Sequence, residues 1–418
     1  MERAILVGVQ TPETTAKEVQ SHLAELEELA KTAGAEVVQV FTQKRQHPDP
    51  ATYIGEGKLA EIHLEVHTSG TSLVIFDDEL SPTQHRNIQE FLGVRVVDRT
   101  QLILDIFAAR ARSKEGKLQV ELAQLNYLLP RLAGKGEGLS RLGAGIGTRG
   151  PGETKLETDR RRIRQRINSL KRELAEVKVH RQQQRRLRKK KGLPLIALVG
   201  YTNAGKSTLF NRLTGAGVLS EDKLFATLDP TVRRMELPSG MVALLSDTVG
   251  FIRKLPHELI NAFHSTLEEV LEADLLLHVT DATDPALFDH IKAVREVLVD
   301  LGASDKPTVT ALNKADLIDP NLLRGLESYL PGAVTISALT GRGLPELLAR
   351  LEQELLSTRV EMKLLVPYKA GAIVDELHGQ ALVIKEEFWP QGTYLEVVVE
   401  KKMVPKLVRY QLNQQGEN

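Results

Sequence analysis

The sequence predicts an α/β chain that builds parallel sheets twice, once on each side of a long basic helical hairpin, and closes with a small α+β unit. Three observations carry this. Strand-like and helical runs alternate from Met1 to about Arg112, strand-like runs vanish between Lys114 and Lys191, and alternation resumes at Leu195. A chain of 418 residues is long enough for roughly two to four packed units. The expected divisions are 1–113 (N-terminal α/β subdomain), 114–192 (hairpin), 193–360 (second α/β domain) and 361–418 (small α+β domain).

In the first of these, the strand-like runs are Ala4 to Val9, Ala35 to Phe41, Thr71 to Phe76 and Val94 to Asp98. Thr14 and Thr15 stand where side-chain oxygens cap a helix that runs through Leu29 and ends near Gly34, and Ser81-Pro82 opens another that ends near Gly93. Beyond Lys114 the residues Val120, Leu122, Leu125, Leu128 and Leu129 form one apolar helical face. The segment Gly134 to Gly152 is rich in glycine, and Glu153 to Lys191 is charged and free of Gly and Pro. Two helices joined by a glycine-rich tip fit that pattern. Gly192-Leu193-Pro194 then breaks it. Strands follow at Leu195 to Val199, Val242 to Leu245, Leu275 to Val279, Thr308 to Leu312 and Val334 to Ile336, and the last unit shows runs Met362 to Val366, Ala381 to Ile384 and Tyr394 to Glu400.

Composition excludes several classes. The chain is 42% hydrophobic and 26% charged, and no apolar run approaches the ~18 residues of a membrane span. Ala4 to Val9 reads as a strand rather than a signal peptide, so a cytoplasmic protein is expected. With no cysteine there is no disulfide framework, thiolate zinc site or cysteine nucleophile. The formal net charge is +0, yet Arg160 to Lys191 holds fifteen Lys and Arg against two acids, Glu173 and Glu176. That imbalance is too one-signed for internal pairing and suits a polyanion. The stretch also lacks aromatic residues, which favours contact with phosphates over stacking on bases. An anionic lipid surface is a poorer match, because that face lacks the Trp, Phe and Leu that interfacial helices bury.

The chemistry lies in the second α/β domain. Leu195 to Val199 runs straight into Gly200-Tyr201-Thr202-Asn203-Ala204-Gly205-Lys206-Ser207, followed by Thr208, which is G-x-x-x-x-G-K-S after a strand and before a helix. Glycines let successive N–H groups face phosphates, Lys206 brings an ammonium to the β and γ phosphates, and Ser207 offers a hydroxyl to Mg2+. Asp247-Thr248-Val249-Gly250 follows the next strand, where a carboxylate holds Mg2+ and the Gly250 N–H senses the γ-phosphate. Asn313-Lys314-Ala315-Asp316 follows another, and the Asp316 carboxylate accepts from the guanine N1 and N2 donors, a pair that adenine lacks. Ser337-Ala338-Leu339 follows the last strand and places a backbone N–H for the guanine O6. Four such segments at the carboxyl ends of strands match where open α/β sheets bind ligands. The glycine-rich Gly134 to Gly152 has no feeding strand and no Gly-Lys-Ser, so a second nucleotide site there lacks the required context.

These segments resemble the G1, G3, G4 and G5 motifs of translation-factor-class GTPases, and the domain is therefore expected to be a P-loop GTPase domain. The stretch Phe225-Ala226-Thr227-Leu228-Asp229-Pro230-Thr231 looks like switch I, which makes Thr227 its Mg2+ ligand, with Thr231 as the alternative. More widely, Leu139 to Glu157, Phe225 to Pro230 and Asp247 to Phe251 are similar to the HflX family of ribosome-associated GTPases over nearly the whole chain. That resemblance implies binding of GTP and GDP, GTP hydrolysis, association with the large ribosomal subunit and its RNA through the basic hairpin, and splitting or rescue of stalled ribosomes under stress. The chain is expected to act as a monomer.

In one respect the sequence departs from the small-GTPase pattern. Phe251 follows Gly250 where those proteins carry glutamine, and a phenyl ring cannot orient water. Asn203 matches the asparagine that helps coordinate K+ in related hydrophobic-substituted GTPases, so Lys206, Asn203 and Gly250 are the expected catalytic set. A folded G domain without turnover is the opposing reading.

Overall fold

A computed structural model describes residues 2–132, 151–190, 193–217, 224–225, 231–254, 264–357 and 359–412. The chain forms two compact units, the first made of residues 1–175, 221–229 and 252–265, the second of 176–220, 230–251 and 266–418. No described helix is long and apolar enough to cross a membrane.

The first unit holds a four-stranded parallel sheet in the order β2-β1-β3-β4, formed by β1 (Glu2–Gln10), β2 (Ala35–Lys44), β3 (Leu73–Phe76) and β4 (Arg95–Asp98). Helices α1 (Ala16–Thr32), α2 (Glu56–Ser69), α3 (Pro82–Leu92) and α4 (Arg99–Arg110) connect and flank the strands. The start of α1 follows from its side chains. Thr15 Oγ1 accepts from the Glu18 N–H at 3.2 Å while the Thr15 N–H donates to Glu18 Oε2 at 2.6 Å, so each satisfies an orphan donor of the other. Ser81 and Gln84 repeat the device ahead of Pro82 in α3. The core between sheet and helices gathers Ile5, Val7, Val74, Phe76, Ile62 and Ile88, all essentially solvent-free. Burial of each such side chain contributes about 1.5–3 kcal/mol.

Helix α5 (Lys114–Arg131) and the 40-residue α6 (Pro151–Lys190) follow. Leu118, Leu122, Leu125 and Leu129 of α5 pack on Ile163, Ile167, Leu170 and Leu174 of α6. The apolar residues of α6 thus recur at helical spacing on one side, which leaves its basic residues to the other. A bidentate ion pair reinforces the packing, with Arg166 Nε and Nη2 donating to the two Glu121 oxygens at 2.7 and 2.8 Å.

The second unit contains a six-stranded sheet in the order β10-β9-β8-β5-β7-β6. Its strands are β5 (Leu195–Val199), β6 (Thr231–Glu236), β7 (Val242–Asp247), β8 (Leu275–Asp281), β9 (Thr308–Asn313) and β10 (Val334–Thr335). All pairings are parallel except β6 with β7. Helices α7 (Lys206–Thr214), α8 (His264–Glu272), α9 (Leu287–Asp300), α10 (Pro320–Tyr329) and α11 (Leu344–Ser357) accompany the strands. The residues Ile196, Leu198, Leu245, Leu277, Val279 and Ala311 fill the core from the strands, which are buried on both faces as central parallel strands are. A three-stranded antiparallel sheet in the order β11-β13-β12 closes the chain, from β11 (Arg359–Val366), β12 (Leu382–Trp389) and β13 (Gly392–Glu400), and α12 (Gly371–Gln380) contributes Leu377 to its core.

Candidate nucleotide site

Strand β5 is buried along its whole length and delivers the chain to a loop, Gly200 to Gly205, that opens α7. Gly205 sits at φ +89°, and a Cβ there would lie 2.2 Å from Asn313 Nδ2, so both backbone and space require glycine. Asn203 takes φ +59°, a left-handed conformation that asparagine tolerates, and its side chain is exposed. The loop is pinned from the side. The Thr202 N–H donates to the Phe251 carbonyl at 2.8 Å and the Phe251 N–H donates to the Gly200 carbonyl at 3.1 Å. Phe251 itself is 2% exposed, so its ring packs inside the protein and its backbone holds the loop. Tyr201 and Ala204 are buried, while Thr208 is half-buried on α7.

Lys206, at the first position of α7, is 6% exposed and donates from Nζ to the Tyr201 carbonyl at 2.6 Å. Burial pushes its ammonium down to about 8, against the opposing pull of the Asp247 carboxylate. Ser207 Oγ donates to Asp247 Oδ2 at 2.8 Å, which brings a hydroxyl from the start of α7 and a carboxylate from the end of β7 to one point. Buried Thr248 donates to the Leu198 carbonyl, Val249 is buried, and a Cβ on Gly250 would lie 3.0 Å from Lys206 Nζ and 2.9 Å from Thr202 Cγ2. The G1 and G3 segments therefore meet around one ammonium and one hydroxyl–carboxylate pair.

Asn313 joins the other two segments. Its Nδ2 donates to the Ala204 carbonyl at 2.8 Å and its Oδ1 accepts from the Ala338 N–H at 2.9 Å, so a single buried amide ties the phosphate loop to Ser337-Ala338-Leu339. Lys314, at φ +64°, pairs with Asp281 at 2.7 Å, and Ala315 is held by its N–H on the Ile336 carbonyl at 3.1 Å. The Ser337 hydroxyl accepts from the Thr340 N–H at 3.1 Å, and Asp316 and Leu339 are exposed at the rim. Sequence reading alone did not reveal that Asn313 and Phe251 brace the loop. The only signals were Asn313 as the first residue of its motif and Phe251 directly after Gly250.

The switch segments stand differently. Phe225 is buried in the first unit, its ring edge-on to Phe107 with centroids 4.6 Å apart. Ala226, Thr227, Leu228 and Asp229 lie outside the described residues, while Thr231 begins β6. Just past Phe251, Arg253 and Lys254 also belong to the first unit. Lys254 pairs with Asp77 and Asp78, and Arg99, which binds Asp77 at 2.8 Å and also Glu25, donates to the Arg253 carbonyl at 3.2 Å. Sequence reading did not single out these residues. The carboxylates Asp77 and Asp78 at the carboxyl end of β3 were the available signal.

Ser207 and Asp247 bring two hard oxygen donors to 2.8 Å of each other, the chemistry that Mg2+ selects when it also keeps waters and phosphate oxygens. The residues present fit that ion.

Comparison with known proteins bears on the whole chain. Family models match residues 20–108 (GTP-binding GTPase N-terminal), 110–188 (GTP-binding GTPase Middle Region) and 195–314 (50S ribosome-binding GTPase). The chain is similar to the GTPase HflX of Caldanaerobacter subterraneus, with 53% identity over 95% of this chain and 91% of that protein. It is 49% identical to the GTPase HflX of Lacrimispora saccharolytica over 97% of this chain and 95% of the relative. With the GTPase HflX of Escherichia coli the identity is 46% over 94% and 92%.

Proposed function

Because the chain belongs to the HflX family of GTPases, and so hydrolyses GTP to GDP and phosphate, we propose that it does so as a cytoplasmic switch on the large ribosomal subunit, splitting or rescuing stalled ribosomes. Residues 200–208, 247–250, 313–316 and 337–339 form the nucleotide site. Lys206 neutralises the β and γ phosphates, Ser207 and Asp247 hold Mg2+ with Thr227 of switch I, and the Gly250 N–H reports the γ-phosphate. The ion, when bound, spreads the charge that develops between the β and γ phosphates. Asp316 reads the base. Asp316→Asn should weaken GTP binding by on the order of 10²-fold, because an amide cannot accept both guanine donors. Unchanged GTP affinity together with continued rejection of xanthosine triphosphate would remove Asp316 from the site.

The observation that carries the ribosomal reading is the exposed face of α6. Arg161, Arg162, Arg164, Lys171 and Arg172 are all solvent-exposed on a helix whose opposite side is buried against α5. A rigid row of cations facing outward suits the phosphates of ribosomal RNA, and each neutralised phosphate releases counterions. Arg166 serves the hairpin itself through Glu121, so it belongs to folding rather than to that row. Replacing the five exposed residues with glutamine should lower ribosome affinity by about tenfold or more and flatten its dependence on salt, with GTP affinity unchanged. Splitting of ribosomes should fall in step. An unchanged salt slope would place the RNA contact elsewhere.

A further inference from the structure

We infer that Arg212 is a positioning residue for base recognition: from the last turn of α7 its guanidinium holds the Thr340 carbonyl and so sets the Leu339 N–H, the open amide of that turn, against the guanine O6. This rests on the reading of residues 337–339 as the segment that faces the base. Of the main-chain amides from Ser337 to Gly341, four are already spent. The Ser337 N–H donates to the Arg342 carbonyl at 2.9 Å, the Ala338 N–H to Asn313 Oδ1 at 2.9 Å, the Thr340 N–H to Ser337 Oγ at 3.1 Å and the Gly341 N–H to the Ser337 carbonyl at 2.8 Å. The Leu339 N–H has no protein partner among the described residues, and its side chain is 71% exposed. A hydrated amide at the apex of a braced turn can exchange its water for a carbonyl oxygen without disturbing its neighbours.

Arg212 supplies the brace that a base-facing apex needs on its far side. Its Nη2 donates to the Thr340 carbonyl at 3.2 Å. The guanidinium lies close along Gly341, where a Cβ would come within 3.0 Å of Nη2 and 3.5 Å of Nε, and whose φ of +90° suits glycine. Leu339 therefore stands between Ala338, fixed by Asn313, and Thr340, fixed at both its N–H and its carbonyl. Without the guanidinium the Thr340 carbonyl loses its anchor and the Leu339 amide is free to turn away. One helix carries Lys206 and Ser207 at its start and Arg212 in its last turn, so about 9 Å of rigid backbone separates the phosphate end of the site from the brace of the base end.

A comparison of two ligands tests this. In 6-thio-GTP a sulfur replaces O6 while the N1 and N2 donors read by Asp316 stay in place, and sulfur accepts hydrogen bonds weakly. The parent protein should bind GTP about tenfold more tightly than 6-thio-GTP. Arg212→Ala should weaken GTP and GDP binding by about fivefold and 6-thio-GTP binding by no more than about twofold, so that most of the preference disappears. Arg212→Met, which keeps the aliphatic stem and removes the donors, should behave as Arg212→Ala does. Arg212 is exposed, and thermal melting verifies that both variants are folded. Equal losses for the two ligands, or GTP binding by Arg212→Met as tight as the parent's, would overturn the role of Arg212 and leave the base site standing. A parent protein that binds GTP and 6-thio-GTP alike would remove residues 337–339 from the base, and the proposal with them.

Discussion

Lys206→Ala should abolish GTP turnover, with single-turnover hydrolysis falling by about 10²- to 10³-fold or more and affinity falling with it. The ammonium is buried at the first position of α7, its Nζ on the Tyr201 carbonyl and 3.0 Å from where a Gly250 Cβ would stand. Nucleotide phosphates would replace that carbonyl as its partner, and the structure holds no second cation to take over within residues 200–207. The same burial sets a pH dependence. In the nucleotide-free protein the ammonium titrates at about 8 rather than at its ordinary 10.5. Between those values the unfolded chain holds a proton that the folded chain has lost, so this group makes the free protein more stable as pH rises through that window. GTP affinity runs the other way and should weaken once pH passes about 8, because the phosphates need the charged form. Lys206→Ala protein that is folded and still hydrolyses GTP, or affinity that stays flat at alkaline pH, would remove Lys206 from this role.

The second large effect concerns the water-orienting group. Phe251 is 2% exposed and spends its backbone on the phosphate loop, so neither its ring nor its main chain orients a nucleophile. Asn203 is exposed on the loop at φ +59°, and on our proposal its amide oxygen would bind a monovalent cation beside the phosphates. A cation held there would do part of what an arginine finger does for the developing charge. Intrinsic turnover should therefore be slow, about tenfold faster in K+ than in Na+ at equal ionic strength, and faster again by about 10²-fold with large ribosomal subunits, which on our proposal would order switch I. Asn203→Ala should lose the response to K+ before it loses GTP binding. Equal rates in the two salts would reject the potassium role, and equal rates with and without large subunits would reject activation by the ribosome.

Local signals explain how much of this was legible in the sequence. Strands β5 and β7, which feed the nucleotide site, are short apolar runs that break at glycine-bearing loops, and a central parallel strand has no polar face to blur its pattern. Thr15 with Glu18, and Ser81 with Gln84 and Pro82, announce their helices by side-chain spacing alone. Strand β6 was not foreseen, since it is an antiparallel edge strand whose residues are mostly half-buried or exposed. Helix α2 also escaped notice, for it opens on Gly55 without a side-chain cap and exposes Leu64. At the site, the motifs mark which residues approach the nucleotide but not what holds them there. The Asn313 amide that joins Ala204 to Ala338 spans 109 residues in one direction, and the pairing of Lys254 with Asp77 spans 177 in the other unit. Bonds of that reach depend on the sheet order, which periodicity does not encode.

Sedimentation of the protein with ribosomes and with separated subunits, in GDP and in a non-hydrolysable GTP analogue, tests the switch most directly. Binding to the large subunit is expected with the analogue, weakening steeply as salt rises, with little binding in GDP. Equal sedimentation in the two nucleotides, or no association with the large subunit at low salt, would contradict a GTP-controlled ribosomal switch.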